Sequence, residues 1–388
     1  MRAAGKERIH PLNSPASPTP AADAARVYVH FGAFGLICYD HDGTEQWRSE
    51  MPLPVNTFGT AASPTVANGR LIFVRDTNEA SSLEAIDGAT GKTIWRTDRA
   101  GFASGWSAPT LWRHGGIDQV LVLGVWWLTA YDLADGKELW SVPGLTDEPI
   151  VTPAVGEDLV YVTSYNMGKS PEVIGLPAFS TVLAECDADA NGVLSLAEAR
   201  TNRSILSRSD ADGEGDHPLA IFFSFLDEDR DGSLTEQEYQ KIFAWLAGFQ
   251  HANAVVAVRP AGPGRAAEIV WQDGEGVPEC PSPLYYRGRL YFVKNGGLVS
   301  CLDGRTGALV YRARLGSAGP CYASPVAGDG KIYSASARGV VTVFAAGDKL
   351  AVLAQNDLRT RIMATPALAL GHVYVRTDSE LLAFGPVE

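Results

Sequence analysis

The sequence predicts an all-β propeller of seven to eight four-stranded blades, with one all-α unit inserted into it. Three observations lead to this prediction. A hairpin pattern recurs along the chain, a second pattern that ends in an aromatic residue follows most copies, and one long gap interrupts the rhythm. The 388 residues, 46% of them hydrophobic, are enough for such an assembly.

The first half of each repeat has the pattern of a β-hairpin. A small residue and Pro precede a short apolar run, a polar turn, and a run of alternating β-branched and aromatic residues. Copies occur at 17–29, 63–74, 108–123, 152–162, 282–293, 324–335 and 365–375. A two-sheet β-sandwich is a weaker alternative, because it seldom repeats one period seven times.

The second half of the repeat adds two more strands. An apolar-x-apolar-x-Asp run leads into a Gly-containing turn and then into a strand closed by Trp or Tyr. Asp caps the turn's backbone N–H groups and Gly tolerates positive φ. Copies occur at 36–47, 83–95, 128–140 and 298–311. Four strands with a closing aromatic residue are typical of a propeller blade.

The spacing of the Pro residues locates the insertion. Successive repeats are 41 to 46 residues apart, but Pro153 and Pro283 are separated by 130 residues. One period accounts for part of this gap and leaves about 85 extra residues. We therefore predict propeller sequence at 1–173 and 251–388, with a separate unit inserted at 174–250.

The repeat resembles a known family. Residues 85–95, AIDGATGKTIW, match the motif A-x-D-x-x-T-G-x-x-x-W of the PQQ-like (quinoprotein-type) β-propeller at every fixed position. The copy at 130–140 has Asp135 in place of Thr, and those at 38–47 and 301–311 depart further. The chain is similar to the non-enzymatic scaffold propeller of bacterial outer-membrane assembly. This resemblance implies loops that bind another protein, and a periplasmic or cell-envelope location.

The last repeat lacks a fourth strand. It ends at 381–384, LLAF, and residues 1–16 are polar although they could supply the strand. PQQ-like propellers commonly have eight blades, so we expect that an N-terminal piece is missing, one that could also carry a secretion signal. The first ten residues contain no apolar segment, and no run of about 18 apolar residues suggests a membrane span.

The inserted unit contains two 12-residue stretches of the EF-hand calcium-loop pattern, D-x-[DN]-x-[DN]-G-x₅-E. Calcium takes oxygen ligands, which come from loop positions 1, 3, 5, 7, 9 and 12, with position 7 contributing a backbone carbonyl. The first loop offers Asp187, Asp189, Asn191, Val193, Ser195 and Glu198. The second loop offers Asp227, Asp229, Asp231, Ser233, Thr235 and Glu238.

The sequence around the two loops supports a paired EF-hand domain. Apolar residues at helical spacing precede both loops and follow the second one. The loops begin 40 residues apart, and Leu194 and Leu234 occupy the position at which paired loops join in a short β-bridge. We interpret residues 209–216, which lack the final Glu, as an acidic linker.

The formal charge of −13 is concentrated in the inserted unit. Residues 181–240 hold 14 Asp or Glu and 4 Lys or Arg, a net charge of −10. The remainder of the chain is nearly neutral, and two bound Ca²⁺ ions would cancel four of the ten charges. The balance argues against a nucleic-acid partner, because such proteins need Lys and Arg for phosphate contacts.

These observations favour a calcium-binding, non-enzymatic scaffold that binds another protein through its propeller loops or its EF-hand unit. The alternative is a PQQ-dependent (quinoprotein) dehydrogenase. That family often has adjacent cysteines beside the cofactor, whereas Cys38, Cys186, Cys280, Cys301 and Cys321 are all separated. No hydrolase or P-loop motif occurs. Whether the EF-hands act as sensors or as structural sites stays open.

A weaker pattern concerns the start of the innermost strands. Cys280 and Cys321 lie three and four residues before Pro283 and Pro325, at nearly equivalent places. This spacing is compatible with a small-molecule, metal or disulfide site, but ordinary packing explains it as well.

Overall fold

The computed structural model describes residues 7, 9–10, 12–169, 173–174, 176–202, 205, 207–208, 219–227, 229, 231–249, 251–262, 266–317 and 319–386. The predicted linker at 209–216 lies outside these residues. Contacts divide the chain into two compact units. Unit 1 comprises Met1–Ser164, Ala254–Asp273 and Gly304–Gly307, and unit 2 comprises Tyr165–Asn253, Gly274–Asp303 and Ala308–Glu388.

Unit 1 begins with three antiparallel four-stranded sheets, each formed by strands that follow one another in sequence. The first contains β1 (Ala21–Ala22), β2 (Arg26–His30), β3 (Leu36–Asp40) and β4 (Glu45–Ser49). The second contains β5 (Thr65–Ala67), β6 (Arg70–Arg75), β7 (Ser82–Asp87) and β8 (Thr93–Asp98). The third contains β9 (Thr110–His114), β10 (Ile117–Gly124), β11 (Trp127–Asp132) and β12 (Glu138–Pro143).

The fourth sheet is interrupted in sequence by a helical segment, Tyr165–Asn253. The sheet starts with β13 (Ala154–Val155) and β14 (Val160–Ser164). Strands β15 (Val173–Ile174), β16 (Leu194–Ser195), β17 (Ser207–Arg208) and β18 (Ser233–Leu234) belong to the helical segment. So do helices α1 (Phe179–Cys186), α2 (Leu196–Ala199), α3 (Leu219–Leu226), α4 (Glu236–Tyr239) and α5 (Lys241–Gly248). Strands β19 (Ala254–Arg259) and β20 (Glu268–Asp273) complete the sheet in the order β13-β14-β19-β20.

Unit 2 also contains three further sheets. The fifth has β21 (Leu284–Tyr286), β22 (Arg289–Lys294), β23 (Leu298–Asp303) and β24 (Leu309–Arg314). The sixth has β25 (Val326–Gly328), β26 (Lys331–Ala335), β27 (Val340–Ala345) and β28 (Val352–Asp357). The seventh has only β29 (Ala367–Ala369), β30 (His372–Arg376) and β31 (Leu381–Phe384). Short 3₁₀ turns lie at Gly32–Phe34, Met167–Lys169 and Asn295–Gly297.

The seven predicted hairpins are therefore confirmed, and so are the four predicted second halves. Two further second halves, β19–β20 and β27–β28, were not predicted from the sequence. The region before β1 does not form a strand over its described residues. Instead, the backbone N–H of His10 donates to the carbonyl of Phe58, and Asn13 donates to the same oxygen.

Apolar strand faces pack between successive sheets. In unit 1, one cluster joins the first and second sheets through Tyr28, Leu36 and Phe73. Another joins the second and third through Ile72, Leu83 and Val120. In unit 2, Tyr291 and Phe344 join the fifth and sixth sheets. The alternation along each strand thus supplies apolar contacts on both faces of a sheet.

The repeat motif has a direct packing function. The Nε1 atoms of Trp47 and Trp95 donate hydrogen bonds to the carbonyls of Gly88 and Leu133, each in the following sheet. The Gly of the motif lies against the same ring, since a Cβ on Gly91 would lie 2.7 Å from Trp47 Cδ2. The Trp that ends one copy of the motif therefore packs on the Gly of the next copy, and this contact joins the first sheet to the second and the second sheet to the third.

Within unit 2, one asparagine holds the two ends of the helical segment together. The backbone N–H of Asn166 donates to Oδ1 of Asn253 over 2.6 Å, and its side-chain Nδ2 donates to the carbonyl of His251 over 3.0 Å. Asn166 is fully buried. The first and last residues of the helical segment are therefore held next to each other. Among the described residues, no helix has the length and apolarity needed to cross a membrane.

Candidate metal centre

The first predicted calcium loop brings its carboxylates together. Oxygen atoms of Asp187, Asp189 and Glu198 all lie within 4.8 Å of one another. Oδ1 and Oδ2 of Asp187 accept backbone N–H groups of Asn191 and Gly192, at 3.2 and 3.0 Å. Asn191 Oδ1 accepts the N–H of Val193. These local hydrogen bonds curl the loop so that its oxygen-bearing side chains converge.

The second loop also concentrates negative charge. Carboxylate oxygens of Asp227, Asp229 and Asp231 lie within 4.8 Å of one another. Oδ1 of Asp227 is buried and has no hydrogen-bond partner among the residues that the structure describes. Glu238 does not belong to this three-carboxylate cluster. A buried carboxylate oxygen without a donor is costly, so a cation at this point would satisfy it.

A glycine at the sixth position allows both loops to turn sharply. Gly192 and Gly232 have φ values of 83° and 85°, and a Cβ on either would meet nothing within 4 Å. Backbone conformation rather than crowding therefore requires glycine here. Ala190 has φ 57° without this advantage, which adds local strain to the first loop.

The two loops are joined through a two-stranded sheet. Leu194 pairs with Leu234, and Ser195 pairs with Ser233. Both leucines are fully buried. This is the bridge expected from the apolar residue at the eighth position of each loop. It connects the two loops that carry the carboxylate clusters.

Two predicted ligand residues in each loop also cap the following helix. Ser195 is the N-cap of α2, and its hydroxyl accepts the N–H of Glu198 while Glu198 accepts the N–H of Ser195. Thr235 and Glu238 form the same capping box on α4. This role was not predicted from the sequence, although the pattern S/T-x-x-E was present as a signal. Hydrogen bonds from Ser195, first from its hydroxyl, lower the pKa of Glu198.

The donor set fits a hard divalent cation. Every side chain concerned offers oxygen, and the 12 residues of the first loop include no Lys or Arg. Three carboxylates within 4.8 Å repel one another, which a bound divalent ion would reverse. Such an ion would be held by the Asp, Asn and Glu side chains and by the carbonyls of Val193 and Ser233.

The two cysteines of the weaker pattern lie in unit 2 and are both thiols. Cys321 is buried in the apolar cluster of the fifth and sixth sheets, and its N–H donates to Asn295 Oδ1. Cys280 is half-buried. For Cys321 this environment is that of a packing residue.

The sheets define the class of protein to which the chain belongs. It is an all-β propeller with seven blades, the last of which has three described strands. A family model described as outer membrane protein assembly factor BamB matches residues 8–168 and 253–386. The chain belongs to this family, and the unmatched residues 169–252 coincide with the helical segment.

Solved structures agree with this fold. The crystal structure of BamB from Moraxella catarrhalis is 11% identical, with a TM-score of 0.56 over 95% of this chain and 81% of that one. The computationally designed Ika8 protein is also 11% identical, with a TM-score of 0.56 over 94% and 82%. No curated protein matches the sequence. The family match does not favour the quinoprotein dehydrogenase alternative.

Proposed function

We propose that this chain is a calcium-binding, non-enzymatic scaffold, in which a propeller binds another protein and a pair of EF-hands stabilises or modulates the helical segment. The observation that carries the calcium proposal is the convergence of three carboxylates in each predicted loop. The two loops are joined by their central strands, and each leads into a capped helix.

Calcium would act on the helical segment through charge and order. Without a cation, the three carboxylates within each cluster repel one another, and residues 181–240 carry a net charge of −10. A Ca²⁺ ion in each loop removes that repulsion and fixes the start of α2 and α4. Since Asn166 ties both ends of the segment, ordering the loops stiffens a unit that is already anchored at its base.

The scaffold proposal rests on family membership. Members of the matched family are described as outer membrane assembly factors, which suggests a protein partner and a periplasmic or cell-envelope location. Fold alone does not determine activity. We therefore treat both the partner and the location as proposals for this chain.

Calorimetric titration of the full chain with CaCl₂ tests the calcium proposal. We expect two binding events, one lost in Asp187→Ala and the other in Asp227→Ala. Asp42→Ala, an exposed turn residue in the first sheet, is the control and should retain both. Calcium should also raise the melting temperature. Absence of heat and an unchanged melting temperature would both contradict the proposal.

The scaffold and the dehydrogenase are distinguished by two further measurements. A scaffold should retain specific proteins from an envelope extract, with retention that depends on calcium if the EF-hands modulate binding. A dehydrogenase should instead show the absorption of bound PQQ and reduce a dye with an alcohol substrate. The second outcome would replace the proposed function.

A further inference from the structure

The turn at the base of the helical segment packs closely against the end of α5. We call residues 166–169 the base turn, since they begin at the asparagine that holds the two ends of the segment together. A Cβ on Gly168 would overlap the carbonyl oxygen of Leu246 and would lie 2.7 Å from Cδ2 of Phe249. The backbones of the base turn and of α5 are therefore in direct contact, with no space for a side chain between them.

Aromatic rings connect α5 with α3, the helix that leads into the second calcium loop. The ring centroid of Trp245 in α5 lies 6.0 Å from that of Phe222 in α3 and 5.1 Å from that of Phe249. Favourable aromatic pairs have centroids about 4.5 to 7 Å apart. Asp227, at the first ligand position, follows α3 directly, and its N–H donates to the carbonyl of Phe223. The second loop is therefore joined to the base turn through the helix that precedes it.

The helices that follow the second loop provide another connection. The helix α4 begins at this loop, and a single residue, Gln240, separates it from α5. Tyr239, the last residue of α4, is fully buried, and its hydroxyl donates to the carbonyl of Pro177 over 2.9 Å. Its ring centroid lies 5.3 Å from that of Phe179 in α1. Movement of α5 away from the base turn would therefore disturb α4 and the end of the second loop.

The first loop is connected to the base turn less directly. Among the described elements of the helical segment, the base turn has its most extensive contacts with α5 and with the short strand β15. The helices that flank the first loop contact other elements: α1 contacts Tyr239, and α2 contacts α3. These contacts lead to the base turn through the helices of the second loop.

We infer that the second calcium site, rather than the first, controls how firmly the base turn is held closed. Opening the base turn separates it from α5, and α5 is joined to both sides of the second loop. An ion that binds the closed arrangement and not the open one stabilises the closed one by mass action. The inference rests on the calcium binding proposed above, and it names the site that regulates the base of the helical segment. All the residues concerned lie in unit 2.

Hydrogen exchange of the full chain, measured by mass spectrometry with and without CaCl₂, tests the inference. At a calcium concentration about 100 times the dissociation constant, exchange in peptides covering 165–169 and 241–249 should slow by up to about 100-fold. Asp227→Ala should lose this slowing, whereas Asp187→Ala should retain it. A peptide covering 117–124, on β10 in unit 1, should exchange at one rate in all conditions.

Two glycine variants test the contact between the base turn and α5. Gly168→Ala places a methyl group against the carbonyl of Leu246, so exchange of the base turn should become fast and independent of calcium. Calorimetry should still record two bound ions in this variant. Gly248→Ala adds a methyl group at the end of the same helix, where it meets nothing within 4 Å, and should preserve the slowing.

A further control separates lost calcium binding from lost folding. Without calcium, Asp227→Ala should have the circular dichroism of the unmodified chain. If it does not, Asp231→Ala takes its place, because Asp231 is an exposed residue of the same carboxylate cluster.

Three results would overturn the inference. Slowing that persists without a working second loop, or that disappears equally in Asp187→Ala, would show that this site does not control the base turn. Exchange that calcium leaves unchanged although two ions bind would refute the coupling and leave the calcium proposal intact. Calorimetry that records no bound ion would instead refute the calcium proposal and the inference together.

Discussion

The indole ring of Trp47 fills the space into which a side chain on Gly91 would project. A Cβ on Gly91 would lie 2.7 Å from the ring, and its φ is 71°. Gly136 and Trp95 repeat this relationship, as do Gly307 and Trp271. The motif glycine is thus required twice, by backbone conformation and by the neighbouring ring.

We therefore predict that Gly91→Ala destabilises the protein more than an alanine in an uncrowded turn. Gly43 has φ 81°, and a Cβ on it would meet nothing within 4 Å, so Gly43→Ala should cost about 1 kcal/mol from backbone strain. Gly91→Ala adds a clash and should cost about 2 to 4 kcal/mol. Urea unfolding measures both. Equal midpoints for the two variants would contradict the packing argument.

The burial of His30 should make the folded protein less stable in mild acid. It is 2% exposed, and burial lowers its pKa to about 4, with Arg75 adding a smaller repulsion. In the unfolded chain the pKa of this histidine is near the ordinary value of 6.5, so the unfolded state takes up the proton at a higher pH than the folded state does. The free energy of unfolding therefore falls as the pH drops from about 6.5 towards 4. The loss between pH 7 and pH 5 should be about 2 kcal/mol.

His30→Gln should flatten this pH dependence, because it removes the group that must stay neutral. His41→Gln, at an exposed turn, is the matched control and should keep it. Thermal unfolding between pH 4.5 and 7.5 makes the comparison. An unchanged slope in His30→Gln would assign the effect to other groups.

The buried ion pair between Arg99 and Asp76 should make the stability effects of substituting these two residues strongly non-additive. Nε and Nη2 of Arg99 donate to the two carboxylate oxygens of Asp76 at 2.8 and 2.9 Å, and Nη1 donates to the hydroxyl of Tyr131. Arg99→Leu leaves a buried carboxylate without its partner and should cost about 3 to 5 kcal/mol. The double variant Arg99→Leu/Asp76→Leu should recover much of that loss. Additive losses in urea unfolding would contradict the coupling.

Removing the hydroxyl group of Tyr311 should not lower the stability of the folded protein. Its hydroxyl is buried and has no hydrogen-bond partner among the described residues, and burial raises its pKa. Tyr311→Phe should therefore be neutral or stabilise the chain by about 1 kcal/mol. Tyr291 in the same sheet accepts the N–H of Gly347 at 3.0 Å, so Tyr291→Phe should destabilise it by about 1 kcal/mol. Melting temperatures that shift in the same direction would refute this contrast.

The two calcium loops should differ in affinity. The second loop offers four carboxylate side chains at ligand positions and the first offers three, with Asn191 as an amide. Since affinity rises with ligand charge, the site that remains in Asp187→Ala should bind more tightly than the one in Asp227→Ala. Calorimetry of the two variants gives the order, and the reverse order would contradict the charge argument.

Local patterns predicted much of this molecule. The hairpins follow from alternation and Pro spacing, and the convergence of Asp187 with Asp189 follows from a 12-residue pattern. The pairing of β19 with β20 was not predictable, because the link after Arg259 has no Asp-and-Gly turn. Contacts between residues far apart in sequence could not be predicted either. Nothing near Arg99 in sequence indicates that its side chain contacts Asp76 and Tyr131. The residues Val125 and Trp126 likewise do not indicate the two-residue turn between β10 and β11, because Gly or Asn is usual in such a turn.

The bonds from Asn166 to His251 and Asn253 have a consequence for how the chain tolerates change. Because the two ends of the helical segment meet, its unfolding need not pull strands apart, and the entropy of closing that long loop is already offset at its base. A foreign domain whose termini lie equally close could replace residues 167–250, which leaves Asn166, His251 and Asn253 in place. The break in sequence between β14 and β19 should therefore accept other inserts whose two ends lie equally close.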